Sequence, residues 1–154
     1  MILKITSGNS FLRKSHIKYL DKTERNFKVA GHLRKGLKPG FYKLSQAKKI
    51  DKIHDHWHKK LEQEKVNKNH VGARKLVFSP DPKDLLSIPK EKQKQLLYET
   101  IQDTMRKFNE RYLETGDRVG YLYSIHDDTK VLHGHLYLYP YSEKGKYISM
   151  NADR

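Results

Sequence analysis

The chain has 154 residues, a length that fits a single domain with a hydrophobic core. Hydrophobic residues make up 36% of it and aromatic residues 10%, which excludes a disordered chain, and no apolar run is long enough for a transmembrane helix. The formal net charge is +14, and the absence of cysteine excludes disulfides and thiolate metal ligands, so we expect a cytoplasmic protein.

The positive charge is concentrated in the first half of the chain. Residues 1–75 carry 20 Lys or Arg and 6 Asp or Glu, whereas residues 76–154 carry 12 of each. Such asymmetry favours a polyanionic partner, most often nucleic acid. The alternative is a basic surface that only keeps the protein soluble. No insertion into a membrane is expected.

The N-terminal quarter predicts short elements. Residues 2–6 predict a strand that ends at Gly8, and residues 11–20 predict a short helix with basic residues between its apolar positions. Residues 27–29 and 41–44 predict a weak hairpin within a basic, glycine-punctuated stretch.

A longer helix is expected over residues 45–66, with Ser45 as its N-cap. Apolar residues at helical spacing form its buried stripe: Ile50, Ile53, Trp57 and Leu61. His54 and His58 lie four residues apart on one helical face and could chelate a metal. Because no carboxylate completes the motif, contact with solvent or phosphate is the favoured interpretation.

The second half predicts a strand over residues 74–79, which Pro80 and Pro82 stop. A long helix follows over residues 88–113, and Gly116 lies just beyond its end. Its core stripe is expected to be Leu96, Leu97, Ile101, Met105, Phe108 and Tyr112.

The most informative stretch predicts a β-hairpin. Residues 119–125 and 136–139 have strand character, and a polar loop separates them. Symmetric pairing would set His126 opposite His133, with Cβ atoms about 4.5–5.5 Å apart. His135 points to the same face as His133 because side chains alternate along a strand. Three imidazoles are therefore expected to converge as part of a divalent-metal site.

The second arm of the hairpin alternates in character. Leu136 and Leu138 are expected to pack on the helices, while Tyr137, Tyr139 and Tyr141 share the face of the histidines. Tyrosines beside a metal in a basic protein could stack the bases of a single strand, at about 1–3 kcal/mol each. The alternative is that they only cover the sheet.

Three motifs together resemble those of the HUH endonucleases, and most closely the conjugative relaxases of the MobP type. They are Ile17–Arg25 around Tyr19, Leu76–Ser79 at the end of a strand, and His126–His135 with the spacing H-x6-H-x-H. The third motif is specific, whereas the first two contribute through their order and spacing. The resemblance spans nearly the whole chain.

The resemblance implies metal-dependent nicking and rejoining of single-stranded DNA at an origin of transfer, in the mobilization of a plasmid or mobile element. Tyr19 would be the nucleophile and would form a 5′-phosphotyrosyl intermediate. The metal ligands would be His126, His133 and His135. Mg²⁺ or Mn²⁺ fits the ligand set and function, although imidazoles also suit Zn²⁺. Accessory DNA-binding proteins would be further partners of such an enzyme.

Other residues receive supporting roles. Asp128 would orient a ligating histidine or accept the proton of Tyr19. Ser79 would hydrogen-bond phosphate or DNA, and alternatively it only ends its strand. The residues expected to contact DNA are Lys18, Lys22, Arg25, Tyr137 and Tyr139.

The chain departs from the family pattern at two places. Gly134 stands between the paired histidines where the family usually has a hydrophobic residue, which is expected to loosen the strand. The chain ends at Arg154, about where the family fold would continue into a further helix, so a minimal, truncated or degenerate member is expected.

Three alternatives remain open from the sequence. A rolling-circle replication initiator or transposase of the same superfamily would carry its nucleophile after the metal motif, where Tyr147 is the candidate. A non-catalytic basic nucleic-acid-binding module would bind DNA in a salt-sensitive way that ignores chelators. A metal hydrolase without a covalent intermediate is the third.

The expected fold is α+β, with residues 1–154 forming one relaxase-like domain. A central antiparallel sheet carries the histidine hairpin and is backed by the helices at 45–66 and 88–113. The opposite sheet face is expected to be the open face that carries the active site and binds DNA.

Overall fold

The computed structural model describes residues 3–10, 13–16, 26–30, 40–43, 47–64, 69–126 and 132–149. Its strands are β1 (Leu3–Ser10), β2 (Asn26–Ala30), β3 (Gly40–Lys43), β4 (Ala73–Pro80), β5 (Tyr121–His126) and β6 (His133–Leu138). Its helices are α1 (Ala47–Glu64), α2 (Pro82–Leu85) and α3 (Lys90–Tyr112). Residues 14–16 form one further helical turn.

The strands form one six-stranded sheet in the order β1-β4-β6-β5-β2-β3. Every neighbouring pair is antiparallel. The hairpin of β5 and β6 occupies the two central positions, where each strand has a hydrogen-bonded neighbour on both sides. The prediction of an α+β fold with an antiparallel sheet and a central histidine hairpin is confirmed to this extent.

Helix α3 packs on one face of the sheet, here called the core face. Its residues Leu97 and Ile101 are buried in one hydrophobic cluster with Leu136 and Leu138 of β6. The expected stripe of α3 is confirmed there, but it does not continue to the end of the helix, because Tyr112 is 48% exposed. The last turn of α3 therefore extends past the edge of the core.

Helix α1 packs on the opposite face, and this overturns the expectation that both helices back one face. The indole of Trp57 contacts the ring of Tyr139 edge-on, with centroids 5.2 Å apart, and its Nε1 donates to the carbonyl oxygen of Gly72 at 3.0 Å. Tyr139 continues the alternation of β6, since its backbone N–H donates to the carbonyl oxygen of Gly120. An apolar stripe makes a helix pack on a sheet without selecting the face, so the sequence pattern could not decide this point.

Most element bounds are close to those expected. The weak hairpin is confirmed, because β2 and β3 pair antiparallel. Strand β1 is longer than predicted: it runs through Gly8 to Ser10, where the whole segment pairs with β4. Cross-strand hydrogen bonds thus outweigh the tendency of Gly8 to end the strand. Of the short helix predicted over 11–20, only residues 13–16 are described.

Within the described part of the chain, no helix combines the length and the apolar character needed to cross a membrane.

Candidate metal centre

Three histidines converge at the end of the central hairpin where β5 ends and β6 begins. His126 and His133 are directly paired across β5 and β6, as predicted from their spacing, and His135 lies two residues along β6. The ring centroids of the three pairs are 5.3 Å apart for 126 and 133, 4.5 Å for 126 and 135, and 4.8 Å for 133 and 135. We call these residues the triad and the sheet face that carries them the triad face.

The triad is shielded unevenly from solvent. His126 is 1% exposed and His135 8% exposed, whereas His133 is only partly buried. Nε2 of His126 and both ring nitrogens of His135 lie beneath the surface. Access to the triad is therefore greatest at His133, which begins β6.

The arrangement fits a divalent metal ion. Each histidine offers one ring nitrogen, and these three atoms lie within 4.8 Å of one another. Two imidazole nitrogens on one ion lie about 3–4 Å apart, given bonds of about 2.1 Å, so a separation within 4.8 Å is close to that of a metal site. Neutral imidazoles would leave the full charge of the ion available to a substrate. Among the described residues, no other group of three or more His, Asp or Glu side chains meets the same geometry.

Gly134, between two triad residues, faces α3 rather than the triad. It pairs with Ile125 on one side and Phe78 on the other, so the strand stays regular at this point. A Cβ built on Gly134 would lie 2.8 Å from Cδ1 of Ile101. The side chain of Ile101 thus occupies the space that a hydrophobic residue at position 134 would fill.

Ser79, the serine of the second motif, lies beside the triad. In the pairing of β4 with β6, Val77 faces His135 and Phe78 faces Gly134, so continuing the register sets Ser79 against His133. Its side chain is on the triad face and partly buried. The structure thus brings Ser79 and the triad together, as the resemblance implied, while the predicted role in phosphate binding stays a prediction.

The tyrosines on the triad face are buried, which favours the alternative that they only cover the sheet. Tyr137 is 2% exposed and Tyr139 0% exposed. His16 stacks on Tyr137 with ring centroids 5.2 Å apart and 17° between the planes, and Trp57 covers Tyr139. These rings cannot stack on nucleotides in this conformation. Burial also raises the pKa of Tyr139, with a further contribution from the nearby charge of Glu64, so its phenol stays neutral.

Five predicted residues lie outside the described residues: Lys18, Tyr19, Lys22, Arg25 and Asp128. Their roles stay predictions. The contact between His16 and Tyr137 nevertheless bears on Tyr19. Tyr137 is two residues from His135, which is about 7 Å along β6, and three residues span at most about 10 Å. His16, three residues before Tyr19 in the chain, thus lies over Tyr137, about 7 Å along β6 from His135.

Tyr147, the nucleophile of the replication-initiator alternative, lies beyond the other end of β6. It forms a β-bridge with Tyr141, which lies past the end of β6 at Leu138. Its ring stacks on His70, with centroids 3.6 Å apart, and its hydroxyl oxygen accepts hydrogen bonds from Val71 N and Arg74 Nη2. Tyr147 is thus held far from the triad.

The helical pair His54 and His58 is close in space, with ring centroids 4.3 Å apart. Nδ1 of His54 lies 3.4 Å from Oδ1 of Asp55. The pair is not part of the triad, and the described residues provide no third ligand for it.

Two residues near the triad were missed in the sequence. Ser124 lies directly opposite His135, and His16 covers Tyr137. Ser124 had a detectable signal, because it is a small polar residue two positions before His126 in a strand whose other preceding residues are aliphatic or aromatic. His16 had none, since its contact depends on tertiary packing.

No family model matches the chain, and comparisons with curated proteins and with solved structures found no similar protein. The family resemblance therefore rests on the motifs themselves and on the geometry of the triad.

Proposed function

We propose that the protein nicks and rejoins single-stranded DNA by tyrosine transesterification, as a relaxase in the mobilization of a plasmid or mobile element. The observation that carries the proposal is the convergence of His126, His133 and His135 on the central hairpin, with ligand nitrogens within 4.8 Å of one another. An ion held there would polarise the non-bridging oxygens of a phosphodiester and stabilise the charge of the transition state. Mg²⁺ or Mn²⁺ is the proposed ion.

Tyr19 is the proposed nucleophile. Its phenol loses a proton, to Asp128 or another base, and the oxygen attacks the scissile phosphorus. The bond to the 3′ oxygen breaks, that oxygen gains a proton, and the products are a 5′-phosphotyrosyl protein and a free 3′-hydroxyl. The reverse attack by the 3′-hydroxyl rejoins the strand. The anchoring of His16 beside the triad supports this choice, because it starts the segment of Tyr19 close to the metal ligands.

The charge distribution supports a DNA substrate. The positive excess lies in residues 1–75, which include Lys18, Lys22 and Arg25 around the proposed nucleophile. Cations next to a reacting phosphodiester neutralise its charge and raise the affinity for a polyanion in a salt-dependent way. We propose these three side chains as the DNA contacts nearest the reaction.

A covalent-adduct assay tests the proposal. The protein is incubated with labelled single-stranded oligonucleotides from its own genetic neighbourhood, with Mn²⁺ or with a chelator, and run on a denaturing gel. We expect a shifted band that needs Mn²⁺ and disappears in Tyr19→Phe. Tyr147→Phe is the matched control and should keep the band, because Tyr147 lies far from the triad.

The other outcomes separate the alternatives. A band lost in Tyr147→Phe and kept in Tyr19→Phe would support a replication initiator or transposase. Cleavage that leaves a free 5′-phosphate and no adduct would indicate a hydrolase. DNA binding that is sensitive to salt and indifferent to chelator, with no cleavage, would support a non-catalytic binding module.

A further inference from the structure

Ser124 is a completely buried serine next to the triad. It is 0% exposed, and within the described part of the chain its hydroxyl oxygen has no hydrogen-bond partner. A buried hydroxyl that makes no hydrogen bond opposes folding, because it gives up its bonds to water without replacement. Alanine would fill nearly the same space without this cost. The presence of serine therefore calls for a reason other than packing.

The register places Ser124 against the metal ligands. It is directly opposite His135 across β5 and β6, and it precedes His126 by two residues on the same strand. Directly opposed residues point to the same face with Cβ atoms about 4.5–5.5 Å apart. Ser124 is thus on the triad face, and His135 is its cross-strand neighbour.

A buried metal ligand creates a requirement that Ser124 can meet. A neutral imidazole that binds an ion through one nitrogen carries its proton on the other, and that N–H needs an acceptor. Both ring nitrogens of His135 are buried, so bulk water is a poor candidate for this role. The hydroxyl oxygen of Ser124 is a buried acceptor on the adjacent strand.

We propose that Ser124 is a positioning residue of the metal centre: when His135 binds the ion through one ring nitrogen, the Ser124 hydroxyl oxygen, which makes no hydrogen bond among the described residues of this structure, accepts the hydrogen bond of the other ring nitrogen. The inference rests on the proposed metal centre. It gives Ser124 the orienting role for which the sequence suggested Asp128. The bond fixes the tautomer of His135 and the direction of its ligating nitrogen, which raises affinity for the ion.

The test measures Mn²⁺ affinity and the melting temperature of the metal-free protein in the same variants. Ser124→Ala should weaken Mn²⁺ binding about tenfold or more, as the loss of such partners does at other metal sites. Its metal-free melting temperature should stay the same or rise by about 2–4 °C, because the buried hydroxyl is removed. Ser124→Thr keeps the acceptor and should bind Mn²⁺ nearly as well as the wild type.

Ser142→Ala is the matched control. Ser142 is also fully buried, but its hydroxyl oxygen accepts a hydrogen bond from Lys146 N at 3.0 Å in a turn beyond β6. Its loss should lower the melting temperature and leave Mn²⁺ affinity unchanged. The two serines should therefore show opposite patterns in the two measurements.

The outcomes separate this inference from the proposed function. Wild-type affinity in Ser124→Ala overturns the inference alone, and a loss of affinity in Asp128→Asn instead would assign the role to Asp128. Binding by Ser124→Thr as weak as by Ser124→Ala also overturns it, because the acceptor would be present without effect. A wild-type protein that binds Mn²⁺ no better than a His126→Ala variant would overturn the metal centre and the inference together.

Discussion

The contact between Gly134 and Ile101 predicts an energetic coupling between the histidine strand and α3. A Cβ at position 134 would lie 2.8 Å from Ile101 Cδ1, against about 3.5–4.0 Å for an ordinary carbon contact. Ile101 must therefore retreat by roughly 1 Å in Gly134→Ala. Overpacking of a core costs about 1–3 kcal/mol, and replacing glycine offsets about 0.4–1 kcal/mol through the unfolded chain. We expect a net loss of about 0.5–2 kcal/mol.

A double-mutant cycle in urea measures the coupling. Ile101→Val removes the clashing Cδ1 and by itself should cost about 0.5–1.5 kcal/mol. The stability loss of the double variant should be smaller than the sum of the two single losses by at least about 0.5 kcal/mol, as for residues in contact. Ile148→Val is the matched control: Ile148 is buried in the same core cluster, but its backbone bonds to Pro140, beyond the other end of β6. Its effect should add to that of Gly134→Ala.

Additive losses for the pair Gly134→Ala and Ile101→Val would refute the close packing of α3 on β6. A Gly134→Ala protein that is more stable than the wild type would do the same, because the entropic gain would then act without a clash.

Two further predictions concern the metal and the acid stability. Isothermal calorimetry with Mn²⁺ should give one site per chain, which is abolished in His133→Ala. The site should be unchanged in His54→Ala, because the pair of His54 and His58 has no third ligand among the described residues. Two sites in the wild type would contradict this prediction. Burial raises the pKa of Asp117, but hydrogen bonds from Ser142 and from two backbone N–H groups outweigh this and hold the pKa below its ordinary value. The stabilisation from this carboxylate is thus fully present above the unfolded pKa, about 3.9, and is lost as the pH falls through the lower folded value. Wild type and Asp117→Asn should therefore differ in urea stability at pH 7 and converge well below pH 4, and a difference that persists there would contradict the assignment.

The hairpin could be predicted from the sequence because several independent features of it require the same strand register. Strand alternation, the polar loop and the spacing of His126 and His133 all require the same register, and any slip by one residue would turn the histidines away from one another. Helix α3 was predicted for the same reason, since its apolar stripe repeats over several turns. Local pattern and tertiary structure agree in both elements.

The packing of α1 could not be predicted in the same way. Its stripe, which includes Trp57, fits either face of the sheet, and Tyr139 is amphipathic enough to lie under a helix or to face solvent. The choice depends on contacts between residues that are distant in sequence, such as the hydrogen bond from Trp57 to Gly72. The burial of Tyr137 and Tyr139 depends on such contacts as well.

The position of the triad in the sheet order has a consequence for local unfolding. β5 and β6 are flanked by β2 and β4, whereas β1 and β3 form the edges. Edge segments open more readily than central strands, so their amide hydrogens exchange sooner. The amide of His135, which is paired with Ser124 on one side and Val77 on the other, should be among the slowest to exchange. The proposed metal ligands would then keep their geometry while the edges of the sheet open and close.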